Sequence, residues 1–408
     1  MISRLLSSVA FSPQWGRQMR FIAGPRQSGK TTLAKEFLHG QKDQAFYYNW
    51  DERELRTRFH RGGEFLKEDL MKAGGRRRHW VCYDEIHKMP QWKNILKAHF
   101  DAHEDRARFI VTGSARLDLF RRAGDSLAGR YFLFHLFPFN LFEMTRKACE
   151  SLQFHSSAKT FVEERMARAH RGNQESFETL FHFGGFPEPF LKASARFLQI
   201  WHRGYLDRLV REDLRDLTRI GELENVASLV ALLPERVGSP LSINSLRGDL
   251  QVSHETLQNY LQALKLCYFV FEVPVYSQRI NRSLKKEKKV YFHDWSFVPD
   301  EARRFENYVA AELLSWVSLW SDSGLGEFAL RYLRTREGKE CDFLVLQGKE
   351  PWLLVEAKLQ YQPLPTHFHR FAENLGKIPV VQVVREEGIA RLGRQKEIYI
   401  SASRFFSA

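Results

Sequence analysis

Cysteine is scarce in this chain: four in 408 residues, at Cys82, Cys149, Cys267 and Cys341. None forms a C-x-x-C pair, which argues against a disulfide scaffold or a structural zinc and for reduced thiols in a cytoplasmic setting. Long apolar runs are missing as well. No stretch approaches the roughly 18 uncharged apolar residues of a membrane helix, so no membrane partner is expected. The segment Met1–Phe11 has an apolar stretch too short and interrupted for a secretory signal. Acid is in deficit: Asp and Glu total 49 against 62 Lys and Arg, a net charge of +13 with a pI near 9.5. That excess points to an anionic partner without naming one. Apolar content of 43% and charged content of 27% are those of a soluble globular protein, and the length suits two to four domains.

What is present begins with Gly24-Pro25-Arg26-Gln27-Ser28-Gly29-Lys30-Thr31, a full match to the phosphate-binding loop G-x-x-x-x-G-K-[ST]. In such a loop the glycines let backbone N–H groups curl around a phosphate. Lys30 would reach the β- and γ-phosphate oxygens and the Thr31 hydroxyl would ligate Mg²⁺. Met19–Ala23 reads as a buried strand, and the segment from Thr32 to Leu38 has helical spacing. Strand, loop and helix are the setting the motif requires, so ATP is the expected ligand, bound by Gly24 through Thr32.

About fifty residues on, an apolar strand ends in Asp84-Glu85, as a Walker B segment does. Asp84 would hold Mg²⁺, and Glu85 would orient and polarise the attacking water. One carboxylate engaged with the metal cannot also serve as base, which is why the pair is needed. A third strand, Arg108–Ser114, ends in small hydroxyl residues, of which Thr112 and Ser114 are placed to sense a γ-phosphate. Strands alternating with helical stretches imply a parallel sheet with ligands at its carboxyl edge.

These segments form an ordered series with Asn49-Trp50-Asp51, Ile86-His87-Lys88-Met89-Pro90-Gln91-Trp92, Thr112-Gly113-Ser114-Ala115, Ser126-Leu127-Ala128-Gly129-Arg130-Tyr131 and Pro138-Phe139-Asn140-Leu141-Phe142-Glu143. The series resembles an AAA-type ATPase family of bacteria and archaea whose members carry a C-terminal domain of unknown function. The resemblance implies a phosphate-reaching arginine at Arg130, with Arg116, Arg121 and Arg122 as competitors. A guanidinium there would neutralise charge on the transferred phosphoryl group, worth roughly 10³–10⁵ in rate. Supplied in trans, it would require a homo-oligomer.

The second half reads differently. Residues from about 150 to 232 are mainly helical in pattern, with one loop signal at Phe183–Pro189. The segments Pro240–Leu250 and Val252–Leu264 read as two short amphipathic helices joined by a Gln-Val-Ser turn, with Ser253 as N-cap of the second. With the strand Cys267–Val273 they make a winged helix. Its exposed face would carry Ser253, His254, Thr256, Gln258 and Asn259, side chains able to hydrogen-bond base edges. Between Gln278 and Val290, Arg279, Arg282, Lys285, Lys286, Lys288 and Lys289 face one acid, Glu287, a set that would grip phosphates or form a solvated loop. Asp294 follows in a segment that matches the family, except that Trp295-Ser296 stands where Thr-Gly is common.

Glu306 at the opening of a helix, Asp342 in a strand, and Glu356-Ala357-Lys358 at the end of the next strand resemble the Glu…Asp…Glu-x-Lys site of the restriction-endonuclease-like fold. Strand alternation puts Glu356 and Lys358 on one face. In that resemblance Asp342 and Glu356 would share Mg²⁺, Lys358 would stabilise charge or orient water, and Glu306 would add a contact. The expected architecture is α/β: an AAA-type P-loop ATPase domain with a parallel sheet over residues 1–145, a helical lid or linker over 146–232, a winged helix over 233–285 and a restriction-endonuclease-like domain over 286–408. Three functions fit: an Mg²⁺-dependent ATPase acting on or regulated by DNA, a nucleotide-dependent switch that binds protein partners, and an ATP-gated nuclease.

Overall fold

The apolar run Met19–Ala23 forms a fully buried strand, β1, in a computed structural model that describes residues 2–61, 64–75, 77–113, 127–146, 154–167, 173–214, 223–277 and 288–407. The chain divides into two compact units, Arg4–Phe137 and a second comprising Met1–Ser3 with Pro138–Ala408.

In the first unit β1 is joined by β2 (Tyr47–Asn49), β3 (His79–Asp84), β4 (Ala107–Thr112) and β5 (Tyr131–His135). They form one sheet in the order β2-β3-β4-β1-β5, and every pairing is parallel. A parallel sheet is covered on both faces, so its inner strands β1, β3 and β4 are buried almost throughout rather than alternating. Phe21, Ile22, Val81, Ile110 and Val111 are all buried, and each contributes about 1.5–3 kcal/mol relative to exposure. The helix Lys30–Gln41 follows β1, and Trp92–His103 links β3 to β4. Strand β4 lies between β1 and β3, so the strands that lead into the phosphate loop and the Asp-Glu pair are not neighbours.

The second unit opens with helices, among them Asn173–Phe183 and Ala195–Arg208. In the glycine-containing loop Phe183–Pro189, Gly184 has φ +77°, and a Cβ there would sit 2.2 Å from Asp294 Oδ1. Asp294 accepts from Ser296 N at 3.1 Å, and its carboxyl is pushed up to about 7 by burial, partly offset by that hydrogen bond. It therefore holds a turn against the loop.

Two helices follow, Ile243–Leu250 and His254–Leu266, each capped by a serine. Ser242 accepts from Ser245 N and Ser253 from Thr256 N. The turn between them is made by Gln251 in the left-handed region. Strands β6 (Val270–Val273) and β7 (Lys289–Phe292) then pair as an antiparallel ribbon.

The remainder is a six-stranded sheet. The helix Glu301–Asp322, capped by Asp300, leads to β8 (Phe328–Arg334), β9 (Glu340–Gln347) and β10 (Glu350–Lys358), which are antiparallel neighbours. The helix His367–Asn374 carries the chain to β11 (Val380–Val384), parallel to β10. Strands β12 (Ala390–Leu392) and β13 (Ile398–Ser401) complete the order β12-β13-β11-β10-β9-β8. Glu306 does not open its helix as expected. The Asp300 cap starts the helix five residues earlier and places Glu306 in its second turn.

Candidate functional site

At the carboxyl end of β1 the chain turns through Gly24, whose φ is +150°. A Cβ there would lie 2.1 Å from the Leu136 carbonyl oxygen, so only glycine fits. Gln27 and Gly29 both have positive φ, and Gly29 N-caps the helix Lys30–Gln41. Alternation of this kind turns backbone N–H groups into a concave, anion-binding arrangement at a helix N-terminus. Lys30 is buried, and its ammonium donates to the carbonyls of Gly24 at 3.0 Å and Pro25 at 2.6 Å. Gln27, Thr31 and Thr32 are exposed, so the outer side of the loop is open.

Asp84 ends β3 and is 2% exposed. Three hydroxyls converge on its carboxylate. Thr31 Oγ1 donates to Oδ2 at 2.7 Å, Tyr47 Oη donates to the same oxygen, and Thr112 Oγ1 donates to Oδ1. The last contact follows from register, because Thr112 is the residue of β4 paired with Asp84.

Glu85 comes next with φ +55°, a left-handed conformation that costs a non-glycine residue of order 1–3 kcal/mol. Its side chain is about a quarter exposed, 3.7 Å from Lys88 Nζ and 3.5 Å from His87 Nε2. Burial holds the Glu85 carboxyl above the usual glutamate range, opposed by Lys88 and Lys30. Lys88 also binds Asp51 at 2.7 Å, which draws the Asn-Trp-Asp segment to the same edge.

Arg130 is elsewhere. It precedes β5, and its backbone carbonyl accepts from Met19 N at the start of β1. It thus stands at the amino edge, one five-residue strand or roughly 16 Å from the loop. Its guanidinium makes a two-point pair with Asp101, at 2.8 and 3.0 Å. Ser114, Arg116, Arg121 and Arg122 lie outside the described residues.

The second unit gathers Glu306, Asp342, Glu356 and Lys358 into one cluster. Lys358 Nζ is 2.6 Å from Glu356 Oε1, and Asp342 N donates to Glu356 Oε2 at 3.1 Å. Lys289 is there too, and it was not expected. Its ammonium is 3.0 Å from Asp342, 3.1 Å from Glu306 and 3.2 Å from Glu340, and the residue is 1% exposed. Lys289 therefore cannot be one of the phosphate-gripping cations suggested by the basic run. Of the other five, Lys288 is tied to Glu272 at 2.7 Å, and Arg279, Arg282, Lys285 and Lys286 lie outside the described residues.

Burial pushes Glu306 up to about 7 and Glu356 up to about 8, each reinforced by the Asp342 charge. For Asp342, burial acts upward, but the combined pull of Lys289 and Lys358 and their hydrogen bonds holds it below its usual value. Among the described residues no group of three or more His, Cys, Asp and Glu side chains is arranged to hold a metal ion.

On the capped helix His254–Leu266, Ser253, His254, Gln258 and Asn259 are exposed and Thr256 is partly so, while Leu257, Tyr260, Leu261 and Leu264 are buried. No described helix is long and apolar enough to cross a membrane. Cys82, Cys267 and Cys341 are buried; Cys149 lies outside the described residues.

Residues 16–145 match an AAA domain. With the five-stranded parallel sheet, this match supports a P-loop ATPase domain at the head of the chain. Two domains of unknown function match further on, DUF8612 over residues 174–304 and DUF4143 over 303–405. Uncharacterized proteins of Mycobacterium bovis and Mycobacterium tuberculosis are each 23% identical over 346 residues, covering 81% of this chain and 68% of theirs. One from Methanocaldococcus jannaschii is 22% identical over 306 residues, covering 68% of this chain and 60% of its own. Among solved structures, Aeropyrum pernix ORC1 in complex with DNA overlaps at a TM-score of 0.33 and 12% identity, over 76% of this chain and 92% of that one. Caenorhabditis elegans PCH-2 overlaps at 0.24 and 14%, over 50% and 66%. Overlaps this loose carry no argument about function.

Two residues of the first unit carry no signal in the sequence. Tyr47 reaches Asp84 because β2 pairs with β3, an adjacency no local pattern announces. The Arg4 guanidinium donates to the carbonyls of Ser28 at 2.8 Å and Phe137 at 2.6 Å and so clamps the phosphate loop from the start of the chain.

Proposed function

We propose that this chain is an Mg²⁺-dependent ATPase whose nucleotide state governs how its C-terminal half engages DNA. The observation that carries the ATPase part is the convergence of Thr31 and Thr112 on Asp84 beside a loop that already cradles Lys30. Thr31 Oγ1 and Asp84 Oδ2, 2.7 Å apart, are a hydroxyl and carboxylate fit to hold Mg²⁺ between them and a nucleotide. When bound, that ion would neutralise charge developing on the transferred phosphoryl group.

The chain's own residues do the rest. Lys30 exchanges its two loop carbonyls for β- and γ-phosphate oxygens, and the loop N–H groups take the remaining lone pairs. Glu85 orients the attacking water and accepts its proton; a raised carboxyl is a better base near neutrality. Thr112 keeps Asp84 in one rotamer. Arg130, at the far edge of its own sheet, would serve only a neighbouring subunit's phosphate, which makes a homo-oligomer part of the proposal.

The DNA part rests on the capped helix His254–Leu266, which buries an apolar stripe and leaves hydrogen-bonding side chains at its N-terminal end, as a groove-reading helix of a winged helix does. It is also supported by Glu306, Asp342, Glu356 and Lys358, the residues of the restriction-endonuclease-like resemblance, lying in one cluster.

Lys30→Ala should abolish ATP binding, and retained turnover would remove the loop from the mechanism. Turnover measured with and without duplex DNA, and DNA affinity measured across a salt series, test the second part. A phosphate-contacting protein loses affinity steeply with salt. No binding at low salt would favour the alternative, a nucleotide switch with protein partners.

A further inference from the structure

The restriction-endonuclease-like reading of the second unit implies a divalent metal between Asp342 and Glu356, and the residues present can be tested for that fit. All four oxygens of the two carboxylates already accept from N–H donors. Asp342 Oδ1 takes the Lys289 ammonium at 3.0 Å and Oδ2 takes Ala357 N at 3.2 Å. Glu356 Oε2 takes Asp342 N at 3.1 Å, and Oε1 takes the Lys358 ammonium at 2.6 Å. Glu306, the third carboxylate of the expected site, gives Oε1 to Lys289 at 3.1 Å and to the Tyr291 hydroxyl at 2.7 Å. Its Oε2 faces Gly238, where a Cβ would come within 2.6 Å. Lys289 also reaches Glu340 at 3.2 Å.

A cation is therefore already at the centre, within hydrogen-bond distance of three carboxylates and sealed from solvent. A divalent ion drawn to the same oxygens would meet a fixed positive charge a few ångströms away, in a place where water cannot screen it. Mg²⁺ also demands near-octahedral oxygen donors and retains several waters, for which a site closed by an ammonium leaves no access.

We propose that the Lys289 ammonium is the resident cation of the Glu306, Glu340 and Asp342 cluster and, with Lys358 on Glu356, takes the oxygens a divalent metal would need, so that the C-terminal unit engages its partner without metal-dependent cleavage. Lys289 stands at the start of β7, so the cation is supplied by the two-stranded ribbon and not by the sheet that carries the acids. This ties the ribbon to the sheet edge. The proposal rests on the cluster itself and on the fold reading of this unit, and it stands whether or not the chain hydrolyses ATP.

The test is Mn²⁺ binding to the full-length, nucleotide-free protein, followed by electron paramagnetic resonance. Wild type and Asp342→Asn are expected to bind the same number of ions per chain. A Mn²⁺ that wild type binds and Asp342→Asn loses would overturn the proposal. Lys289→Gln leaves the acids around an ammonium-sized gap and should gain one Mn²⁺, which the double variant Lys289→Gln/Asp342→Asn should not hold. A folded Lys289→Gln protein that gains none would also overturn it. If that variant fails to fold by circular dichroism, the wild-type comparison decides alone. Plasmid DNA incubated with wild type and Mn²⁺ should stay intact, and cutting that Asp342→Asn abolishes would count against the proposal.

Discussion

Thr112 and Asp84 stand opposite each other at the carboxyl ends of adjacent parallel strands, and the threonine hydroxyl donates to the aspartate carboxylate. A side chain at the tip of β4 thus fixes the carboxylate at the tip of β3, and the carboxylate's other oxygen receives the hydroxyl of the phosphate loop.

Thr112→Val keeps the shape and removes that donor. A hydrogen bond to a charged group contributes about 1.5–3 kcal/mol, so kcat for ATP hydrolysis should fall roughly tenfold to a hundredfold. ATP affinity, read by a fluorescent analogue, should change much less. An unchanged kcat would remove Thr112 from the site.

Glu85→Gln should leave ATP bound and slow its hydrolysis by roughly 10²–10⁴-fold. The pH profile adds a second check. Burial raises the Glu85 carboxyl, and the ionised form is the one that accepts a proton. Wild-type turnover should therefore fall off, as pH drops, at a higher pH than an exposed glutamate would give. That acidic limb should be missing from the residual rate of Glu85→Gln.

Gly24 and Gly40 make a matched pair. A Cβ at Gly24 runs into the Leu136 carbonyl, a backbone atom that cannot swing aside, whereas at Gly40 it meets nothing within 4 Å. Gly24→Ala should lower the melting temperature and abolish ATP binding, at a cost of about 1–3 kcal/mol or more. Gly40→Ala, in the helix Lys30–Gln41, should stabilise by about 0.5–1 kcal/mol. Thermal denaturation followed by circular dichroism distinguishes them.

Glu312 is buried and accepts from Leu141 N at 2.8 Å; burial pushes its carboxyl up to about 8. The folded state therefore keeps a proton that the unfolded chain gives up at ordinary glutamate pH. The stabilisation is complete below about 4.5 and is lost as pH rises toward 8. Glu312→Gln keeps an acceptor for Leu141 and carries no charge, so it should melt higher than wild type at pH 8.5, by about 2–4 °C for each kcal/mol relieved. The difference should shrink toward pH 5. A wild-type advantage at pH 8.5 would contradict this.

How much of this was legible in the chain differs from one place to another. The phosphate loop is contiguous, and its glycines, lysine and threonine carry their geometry with them, because backbone conformation there is a local property. Asp84 and Thr112 end apolar runs, and strand ends in a parallel sheet meet at one edge. Tyr47 reaches Asp84 through strand order, and Arg4 reaches the loop across more than twenty residues; neither contact has a local signature. By sequence Lys289 belongs to a phosphate-gripping set or a solvated loop, because it follows a run of lysines and arginines. Its burial is decided by the acids of Glu306, Glu340 and Asp342, brought to it by a fold that sequence spacing does not display. Arg130 was read by motif order, whereas its position depends on which end of β5 it precedes.

Strand β4 has a further effect that its own residues do not reveal. Adjacent strands lie about 4.8 Å apart, so one strand inserted between β1 and β3 separates the lines of the phosphate loop and the Asp84-Glu85 pair by about 10 Å. Thr31 and Asp84 meet across that interval at 2.7 Å, and in the proposed ATPase the terminal phosphate and the attacking water would sit beside that contact. In the proposed mechanism the inserted strand works as a gauge block, its width setting the spacing between the loop and the carboxylate pair.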